Sequence, residues 1–466
     1  MPIAAIPSYL GKDFSEASPG LRFGMYLPVW TTRDDQVKEV LNRAQKGSPE
    51  AKELQKRIET TSMDDVIAEL CKRDKNPLPR IWEKTKTWSL ESWKKIVSLT
   101  KNDERLCKAL ISRQIALAAP AVGAGSALML QAVATAPFTS GLGNEHPLEN
   151  GFAFLNPYGL PYLPGSGVKG VLRQAARELA NGLFGDNHGW DAARRRVLSL
   201  NGAKIEISDI DVLFGRDPDK GESEHLRGAL RFWDVIPELA GNRLQVEVMT
   251  PHQRDYYLPK SGNPRPPHDA GQPTPIFFLT IPPGSKFIFH VTCDVYHLKR
   301  WAPDLAEYKW KELLHSAFEH AFQWLGFGAK TSVGYGVMKI DDSATKELIR
   351  KAKEHEDEKK LAQLSPEEQS IELQRKELDA FRIKFEEARR QSYQPGGTFD
   401  TIRDQFINAC MNWKDKQMRL LAADLLDETC KWGMSKKKER QKKLKEKIAK
   451  LREDLNHGHL QCNGKD

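Results

Sequence analysis

The order of apolar segments between residues 126 and 340 constrains the fold more than any other feature of this sequence. The segment SALMLQAVATA (126–136) has the nearly continuous apolar character of a largely buried strand. A helix is predicted next, because apolar residues recur at helical spacing from Val168 to Leu179. Ser166 is a candidate cap for its start and Gly182 for its end.

The remaining apolar segments of this region predict three strands, a helix and a last strand. In chain order they are strands at 229–237, 244–250 and 286–294, a helix at 304–325 and a strand at 335–340. If one middle strand is accessory, the order is βαββαβ. The predicted class is therefore α+β with a ferredoxin-like (RRM-like) core, an open antiparallel sheet backed by two helices. Several RNA-binding modules use such a sheet.

Composition changes on both sides of this core and predicts four segments. Leu21 to Trp30 is a possible strand, and residues 33–119 have helical spacing. The predicted organisation is an N-terminal strand with a helical insertion (1–125), the core (126–340), a charged helical linker (341–395) and a small helical domain (396–466). A proline-rich loop lies at 260–275.

The C-terminal domain is predicted from apolar residues between Thr398 and Trp432, and it ends in a lysine-rich helix. The apolar positions of the first part are Phe406, Ile407, Trp413, Leu420, Leu421, Leu425 and Leu426, and the last helix has a stripe of Leu444, Ile448, Leu451 and Leu455. That helix fits a partner helix or a phosphate backbone, and a solvated basic face is the default interpretation.

Charge and cysteine content narrow the classes of ligand. The chain has 71 basic and 63 acidic residues, a net charge of +8 that favours a polyanionic partner. Its six cysteines form no CxxC pair and have no zinc-ligand spacing. No metal or cofactor is predicted. The N-terminus lacks a signal-peptide pattern and no apolar run is long enough to span a membrane, so a cytoplasmic location is expected.

Two glycine-rich motifs contain candidate phosphate ligands. The helix-start motif (164–173) places Ser166, Lys169 and Arg173 where backbone N–H groups and the helix dipole favour an anion. The glycine loop (326–336) contains Lys330, Thr331 and Ser332, and its glycines allow close approach of a ligand. A capped helix and a plain turn are the alternatives. GAKTS is not a nucleotide P-loop, because a helix precedes it and a strand follows.

Two polar motifs contain histidines. The post-strand loop (141–150) contains His146, and the aromatic motif (250–257) contains His252, Arg254 and two tyrosines that are able to stack on unpaired bases. A hydrogen-bonded structural imidazole is the favoured interpretation of both histidines, since no lysine or tyrosine partner is fixed by the sequence.

These four motifs resemble the RAMP superfamily of CRISPR proteins. The residues that carry the resemblance are PFTSGLGNEHPLENGF, GLPYLPGSGVKGVLR, TPHQRDYY and GFGAKTSVGYGVM, within residues 126–340. Their combination and order are most similar to the family of sixth subunits of the type III-B, or Cmr, complex. The helical segment before residue 120 and the extension after 341 depart from that family's compact pattern.

The resemblance implies a non-catalytic subunit in antiviral defence, bound near the 3′ end of the CRISPR guide RNA and stacked on other RAMP subunits. Another subunit would cleave the target RNA, and this chain would contact the target RNA only indirectly. Ser166, Lys169, Arg173, Lys330, Thr331, Ser332, His146, His252 and Arg254 are the expected RNA ligands.

Two other functions remain open. One is a metal-independent endoribonuclease, with His146 or His252 as general base and Lys169 or Lys330 as phosphorane ligand. The other is a tether formed by the C-terminal extension for an accessory protein.

Overall fold

The structure is a computed structural model of the 466-residue chain. It describes residues 13–26, 96–146, 150–200, 203–216, 225–257, 275–307, 309–390, 397–433 and 438–453, with isolated positions elsewhere. The chain divides into two compact units, Met1–Lys353 and Glu354–Asp466. Most of the predicted 33–119 insertion, most of the proline-rich loop and Leu455 lie outside the described residues.

The described strands all belong to the first unit. They are β1 (Trp30–Thr31), β2 (Arg80–Ile81), β3 (Ala127–Ala134), β4 (Phe154–Leu155), β5 (Leu160–Pro161), β6 (Arg196–Leu200), β7 (Ala203–Ile207), β8 (Gly215–Arg216), β9 (Leu226–Arg227), β10 (Leu230–Phe232), β11 (Gln245–Met249), β12 (Ile276–Thr280), β13 (Lys286–Cys293) and β14 (Met338–Ile340).

The described α-helices occur in both units. They are α1 (Pro19–Gly24), α2 (Lys101–Gly123), α3 (Gly165–Ala180), α4 (Asp209–Phe214), α5 (Arg254–Tyr257), α6 (Val295–Trp301), α7 (Lys309–His320), α8 (Asp342–Ala362), α9 (Pro366–Arg389), α10 (Thr398–Cys410), α11 (Lys416–Trp432) and α12 (Lys438–Glu453). A π-helical turn, Ala321–Leu325, continues α7.

A four-stranded antiparallel sheet forms the centre of the first unit. Its strand order is β10-β13-β3-β14. Leu130 of β3 lies opposite Phe289 of β13, and Ala134 opposite Met338 of β14. Along the chain, the four strands of this sheet and the helices α3 and α7 follow in the order β3, α3, β10, β13, α7 and β14. Strand β11 is outside this sheet and pairs with β12 in a separate ladder.

One face of the sheet packs against α3 and α7. Phe289 projects from β13 towards α7, with ring centroids 5.2 Å from Phe318 and 5.3 Å from Phe327. The predicted apolar face of α3 contributes Val168, Leu172, Ala175, Ala176 and Leu179 to the same core. Gly182 ends α3 in a left-handed conformation with φ 66°, as expected for a residue just beyond a helix terminus.

The predicted open sheet backed by two helices does not include the helices that cover part of its other face. Ala127 and Met129 of β3 pack against Ala118 and Val122 of α2. Ala352 of α8 belongs to the same apolar cluster. A nucleic acid therefore does not reach this face of the sheet where α2 and α8 cover it.

Several predicted boundaries differ from the structure. Leu21 lies in helix α1, because Pro19 begins a short helix there and not a strand. The 229–237 strand is limited to β10, and the 304–325 helix starts at Lys309 after a 3₁₀ turn. Strand β12 was not predicted. Ser166 lies inside α3, whose capping position is Pro164 without a side-chain hydrogen bond.

The second unit is a helical bundle that extends further towards the N-terminus than predicted. Helix α9 is not a linker, because Phe381 and Phe385 share an apolar cluster with α10, α11 and α12. Phe381 stacks on Phe406 with ring centroids 4.0 Å apart. Leu420 and Leu421, two apolar positions of the predicted domain, are 37% and 44% exposed.

The described parts of the chain contain no helix that is long and apolar enough to cross a membrane. They also contain no cluster of three His, Cys, Asp or Glu residues that could hold a metal ion. Four of the six cysteines are described, and all four are free thiols. Burial raises the pKa of Cys107 to about 11.

His290 makes the stability of the first unit sensitive to acid. The imidazole stacks on Trp233, and burial lowers the pKa of His290 to about 4, against about 6.5 in an unfolded chain. Between these two pKa values, His290 binds a proton in the unfolded chain but not in the folded chain. The free energy of unfolding therefore falls as pH falls, by about 3 kcal/mol at ~1.4 kcal/mol per pKa unit.

Urea unfolding between about pH 7 and pH 4 measures this contribution. We expect His290→Phe, which keeps the stacking, to be less sensitive to acid than the wild type. The control His315→Gln changes a histidine whose side chain is 42% exposed and should retain the wild-type sensitivity. Equal acid sensitivity of His290→Phe and the wild type would contradict the assignment to His290.

Candidate nucleic-acid interface

The segment that follows β3, residues 137–140, connects the glycine loop with the chain before α3. The carbonyl of Pro137 accepts from the N–H of Gly336 at 2.8 Å, and that of Thr139 from Ala329 at 2.7 Å. The hydroxyl of Ser140 donates to the carbonyl of Tyr162 at 3.3 Å. The helix-start motif and the glycine loop are thus both anchored to the end of the central strand.

Glycines shape the glycine loop for reasons internal to the fold. Gly328 has φ 89°, and a Cβ there would lie 2.2 Å from the carbonyl oxygen of Thr139. Gly336 has φ 75°, and a Cβ added there would lie 1.9 Å from the carbonyl oxygen of Phe327. A plain turn, the alternative interpretation of the glycine loop, therefore accounts for Gly328 and Gly336 without a ligand. The π turn before the loop and β14 after it agree with the rejection of a P-loop.

Lys330 is the most unusual residue of the glycine loop. It is left-handed, with φ 62°, a conformation that costs energy for a residue with a Cβ. Its ammonium lies 5.0 Å from the ring centroid of Phe278 and 3.1 Å from Sδ of Met249. No carboxylate pairs with it among the described residues. Thr331 and Ser332 follow in a 3₁₀ turn, with Ser332 exposed.

An acidic residue already occupies part of the helix-start motif. The carboxylate of Asp234 accepts a 2.7 Å hydrogen bond from the N–H of Gly165, the first residue of α3. The N–H groups of Ser166 and Gly167 follow in the same turn, where a helix provides no backbone acceptor. Both residues are exposed. The predicted phosphate cradle is therefore reduced to these two N–H groups and the half-buried Lys169.

Arg173 faces a neighbouring helix. Its guanidinium lies 3.9 Å from the carboxylate of Asp211 in α4. Asp211 also accepts from the N–H and hydroxyl of Ser208 at 2.9 and 2.7 Å. Arg173 thus connects α3 to the capped start of α4.

His146 is held in place by α1. Its imidazole stacks on Phe23 with centroids 3.9 Å apart, and Nε2 lies 3.0 Å from the carbonyl oxygen of Phe23. Burial lowers the pKa of His146, which favours the neutral imidazole. These contacts match those of a structural histidine.

The aromatic motif exposes its side chains. His252 is exposed, and Tyr256 and Tyr257 are 42% and 75% exposed. The two tyrosine rings meet edge to face at 5.0 Å. The side chain of Arg254 lies outside the described residues. The motif directly follows β11, whose last residue, Met249, contacts Lys330.

Sequence reasoning missed the neighbours that define these environments. Phe278, Met249 and Phe23 contact predicted ligands from distant parts of the chain, and Asp234 contacts the first residue of the helix-start motif. Asp234 and Met249 lie in predicted strands, and IFFLT around Phe278 has the aromatic and β-branched content of a strand. A strand pattern does not indicate which distant residue will be contacted.

The RAMP superfamily model matches residues 121–339, which span all four motifs. This part of the chain is a RAMP superfamily domain. The chain is also 28% identical to the CRISPR system Cmr subunit Cmr6 of Pyrococcus furiosus. That match covers 42% of this chain and 63% of the relative, so it spans less than two thirds of the relative's length. The predicted resemblance, RAMP superfamily and most like the sixth type III-B subunit, is confirmed.

Two solved CRISPR complexes and one solved CRISPR subunit contain chains that are similar to parts of this chain. A type III-B Cmr-beta complex bound to cognate target RNA contains a chain with 16% identity and a TM-score of 0.33, covering 66% of this chain and 98% of that one. Cmr6 from Pyrococcus furiosus has 28% identity and a TM-score of 0.23, with 46% and 97% covered. A chain of a type IV-B CRISPR complex has 16% identity and a TM-score of 0.26, and the match covers 47% of this chain and 91% of that one. The RAMP assignment rests on the sequence matches.

Proposed function

We propose that this chain is a non-catalytic RNA-binding scaffold subunit of a type III-B CRISPR effector complex in the cytoplasm. Its RAMP domain would be a ferredoxin-like core, with a helical insertion before it and a helical extension after it. The sequence similarity to a Cmr6 subunit supports this proposal. The expected partners are the 3′ region of the guide RNA and neighbouring RAMP subunits, with the target RNA contacted indirectly.

The observation that supports RNA binding best is the environment of Lys330. An ammonium that faces an aromatic ring is stabilised by about 0.5–2 kcal/mol, depending on its exposure, but the ring of Phe278 does not neutralise its charge. With no carboxylate partner in the described residues, the charge remains available to an anion. A phosphate would supply a charge-assisted hydrogen bond.

The surrounding groups favour recognition of a backbone. Lys169 and the exposed N–H groups of Ser166 and Gly167 offer further donors to phosphate oxygens. The exposed rings of Tyr256 and Tyr257 offer surfaces for stacking on unpaired bases. Such contacts position RNA without reading its sequence.

The non-catalytic part of the proposal rests on the two histidines. His146 is occupied by Phe23 through both its ring and Nε2. His252 is exposed, and no hydrogen bond or ion pair to another described residue orients its imidazole. A general base must be positioned within hydrogen-bond reach of the proton it removes. An imidazole whose Nε2 already contacts a backbone oxygen, as that of His146 does, is less available for this role.

Complex membership is tested by affinity purification of the tagged chain from its native host. We expect several RAMP proteins in the eluate, together with small RNAs that share the sequence of CRISPR guides. Mass spectrometry and RNA sequencing of one preparation measure both. Recovery of the chain alone, without guides, would contradict the scaffold role.

Lys330→Gln should weaken RNA binding about tenfold, equivalent to ~1.4 kcal/mol. The slope of log affinity against log salt should decrease by about 0.7, the value for one lost phosphate contact on a single strand. Lys204→Gln is the control, because Lys204 is an exposed lysine of β7 outside the four motifs. Filter binding to a guide-like RNA over a salt series gives both quantities.

The same RNA, incubated with the wild type in EDTA, should remain intact. A 2′,3′-cyclic phosphate product that disappears in His146→Ala or His252→Ala would instead establish the endoribonuclease.

Substitution of Gly170 tests whether this glycine allows an RNA backbone to approach α3. It lies inside α3, and a Cβ added there would have nothing within 4 Å. Gly170→Ala should therefore raise the free energy of unfolding by about 0.5–1 kcal/mol, because alanine is the better helix former. If an RNA backbone approaches this face, the same substitution should weaken RNA binding. Greater stability with unchanged RNA affinity would show that RNA does not approach Gly170.

A further inference from the structure

Helix α12 is the most basic element of the second unit, and it lies outside the RAMP domain. Its 16 residues include eight basic and three acidic side chains. Three more basic or polar residues, Ser435, Lys436 and Lys437, precede it in the sequence. From sequence alone, this helix fits a partner helix or a phosphate backbone, with a solvated basic face as the default interpretation.

The apolar stripe of α12 is already used within its own unit. Leu444, Ile448 and Leu451 are buried in the cluster formed with α9, α10 and α11. The exposed apolar residues described in this unit lie on α9 and α11. Helix α12 therefore has no described apolar surface left for a partner helix or for insertion into a membrane interface.

Two cations towards the C-terminus of α12 have side-chain partners within the second unit. Arg452 contacts Asp424 at 2.6 Å and Asp427 at 2.8 Å. Lys447 donates to the side chain of Asn408 at 2.8 Å. These contacts fasten the end of α12 to α10 and α11.

The N-terminal half of the helix retains an uncompensated basic stripe. Lys438, Lys442 and Lys445 are spaced i, i+4 and i+7, so they lie along one side of the helix. All three are exposed, and none has a carboxylate partner among the described residues. Lys443 differs, because it lies 3.8 Å from Glu439.

Helix stability does not explain the position of this stripe. The positive end of the helix dipole lies at the N-terminus, where cations are unfavourable and anions favourable. Lys438 and Arg440 nevertheless lie in the first turn of α12. Their arrangement favours an external anion, which would interact with the side chains and the dipole together.

We propose that the stripe of Lys438, Lys442 and Lys445 binds the phosphate backbone of single-stranded RNA, independently of base sequence. Protein partners depend on buried apolar or aromatic anchors, which α12 does not present in its described residues. Backbone binding needs only cations that displace counterions from successive phosphates. This second contact goes beyond the proposed function, and it does not depend on Lys330.

The test compares two full-length triple variants with equal loss of charge. Lys438→Gln, Lys442→Gln and Lys445→Gln remove the stripe, while Lys359→Gln, Lys384→Gln and Lys431→Gln remove exposed lysines from α8, α9 and α11. Lysine and glutamine have similar helix propensities, so both variants should fold. Circular dichroism checks this. Binding to an unstructured RNA of mixed sequence is measured over a salt series.

The stripe variant should bind at least about tenfold more weakly at low salt, and its salt slope should fall by about 2, at ~0.7 per phosphate contact. The control variant should match the wild type. An unchanged slope in the stripe variant, or equal losses in both variants, would overturn the inference, as would failure of the wild type to bind this RNA. Lys330→Gln is measured in parallel to distinguish the two sites. Normal RNA binding by Lys330→Gln would contradict the proposed site at Lys330 and would leave the inference about α12 unaffected.

Discussion

Strand β3 has a hydrogen-bonded neighbour along each edge and a packed layer over each face. It pairs with β13 from Ala127 to Val133 and with β14 from Ala132 to Ala134. Its side chains alternate between the core formed with α3 and α7 and the cluster formed with α2 and α8. Buried backbone groups must find partners, so a strand satisfied on both edges has a fixed register. The direction of the chain beyond Ala134 is fixed with it.

That fixed exit organises the candidate interface. Pro137 and Thr139 offer carbonyl oxygens to the glycine loop, and Ser140 binds the chain that leads into α3. The left-handed conformation of Lys330 is maintained because the loop around it is pinned on both sides. Strain of this kind persists only where the surroundings determine it. The side chain that results from it points at Phe278, so packing far from the loop decides where a cation is presented.

Much of the central sheet could be predicted, because apolar periodicity marks individual elements. The strands at 127–134 and 286–293 and the helix from Gly165 to Ala180 lie close to their predicted positions. Periodicity does not state which surface an element packs against. Thus the sequence of α2 gave no indication that it covers the sheet, and Phe381 appeared to belong to a linker. A structural role was favoured for His146, but the sequence did not identify its partner, Phe23, which is 123 residues away.

The Asp234 carboxylate at the start of α3 has a consequence for selectivity among anions. A free phosphate or nucleotide that approached this turn would share the helix dipole with a fixed negative charge 2.7 Å from the first N–H. With no other attachment, it would gain little there. A polymer is different, because its other phosphates are held elsewhere and raise the local concentration of the one that reaches the turn. On the proposed function, such a helix end would discriminate against small phosphates and would be occupied only by the backbone of a long RNA.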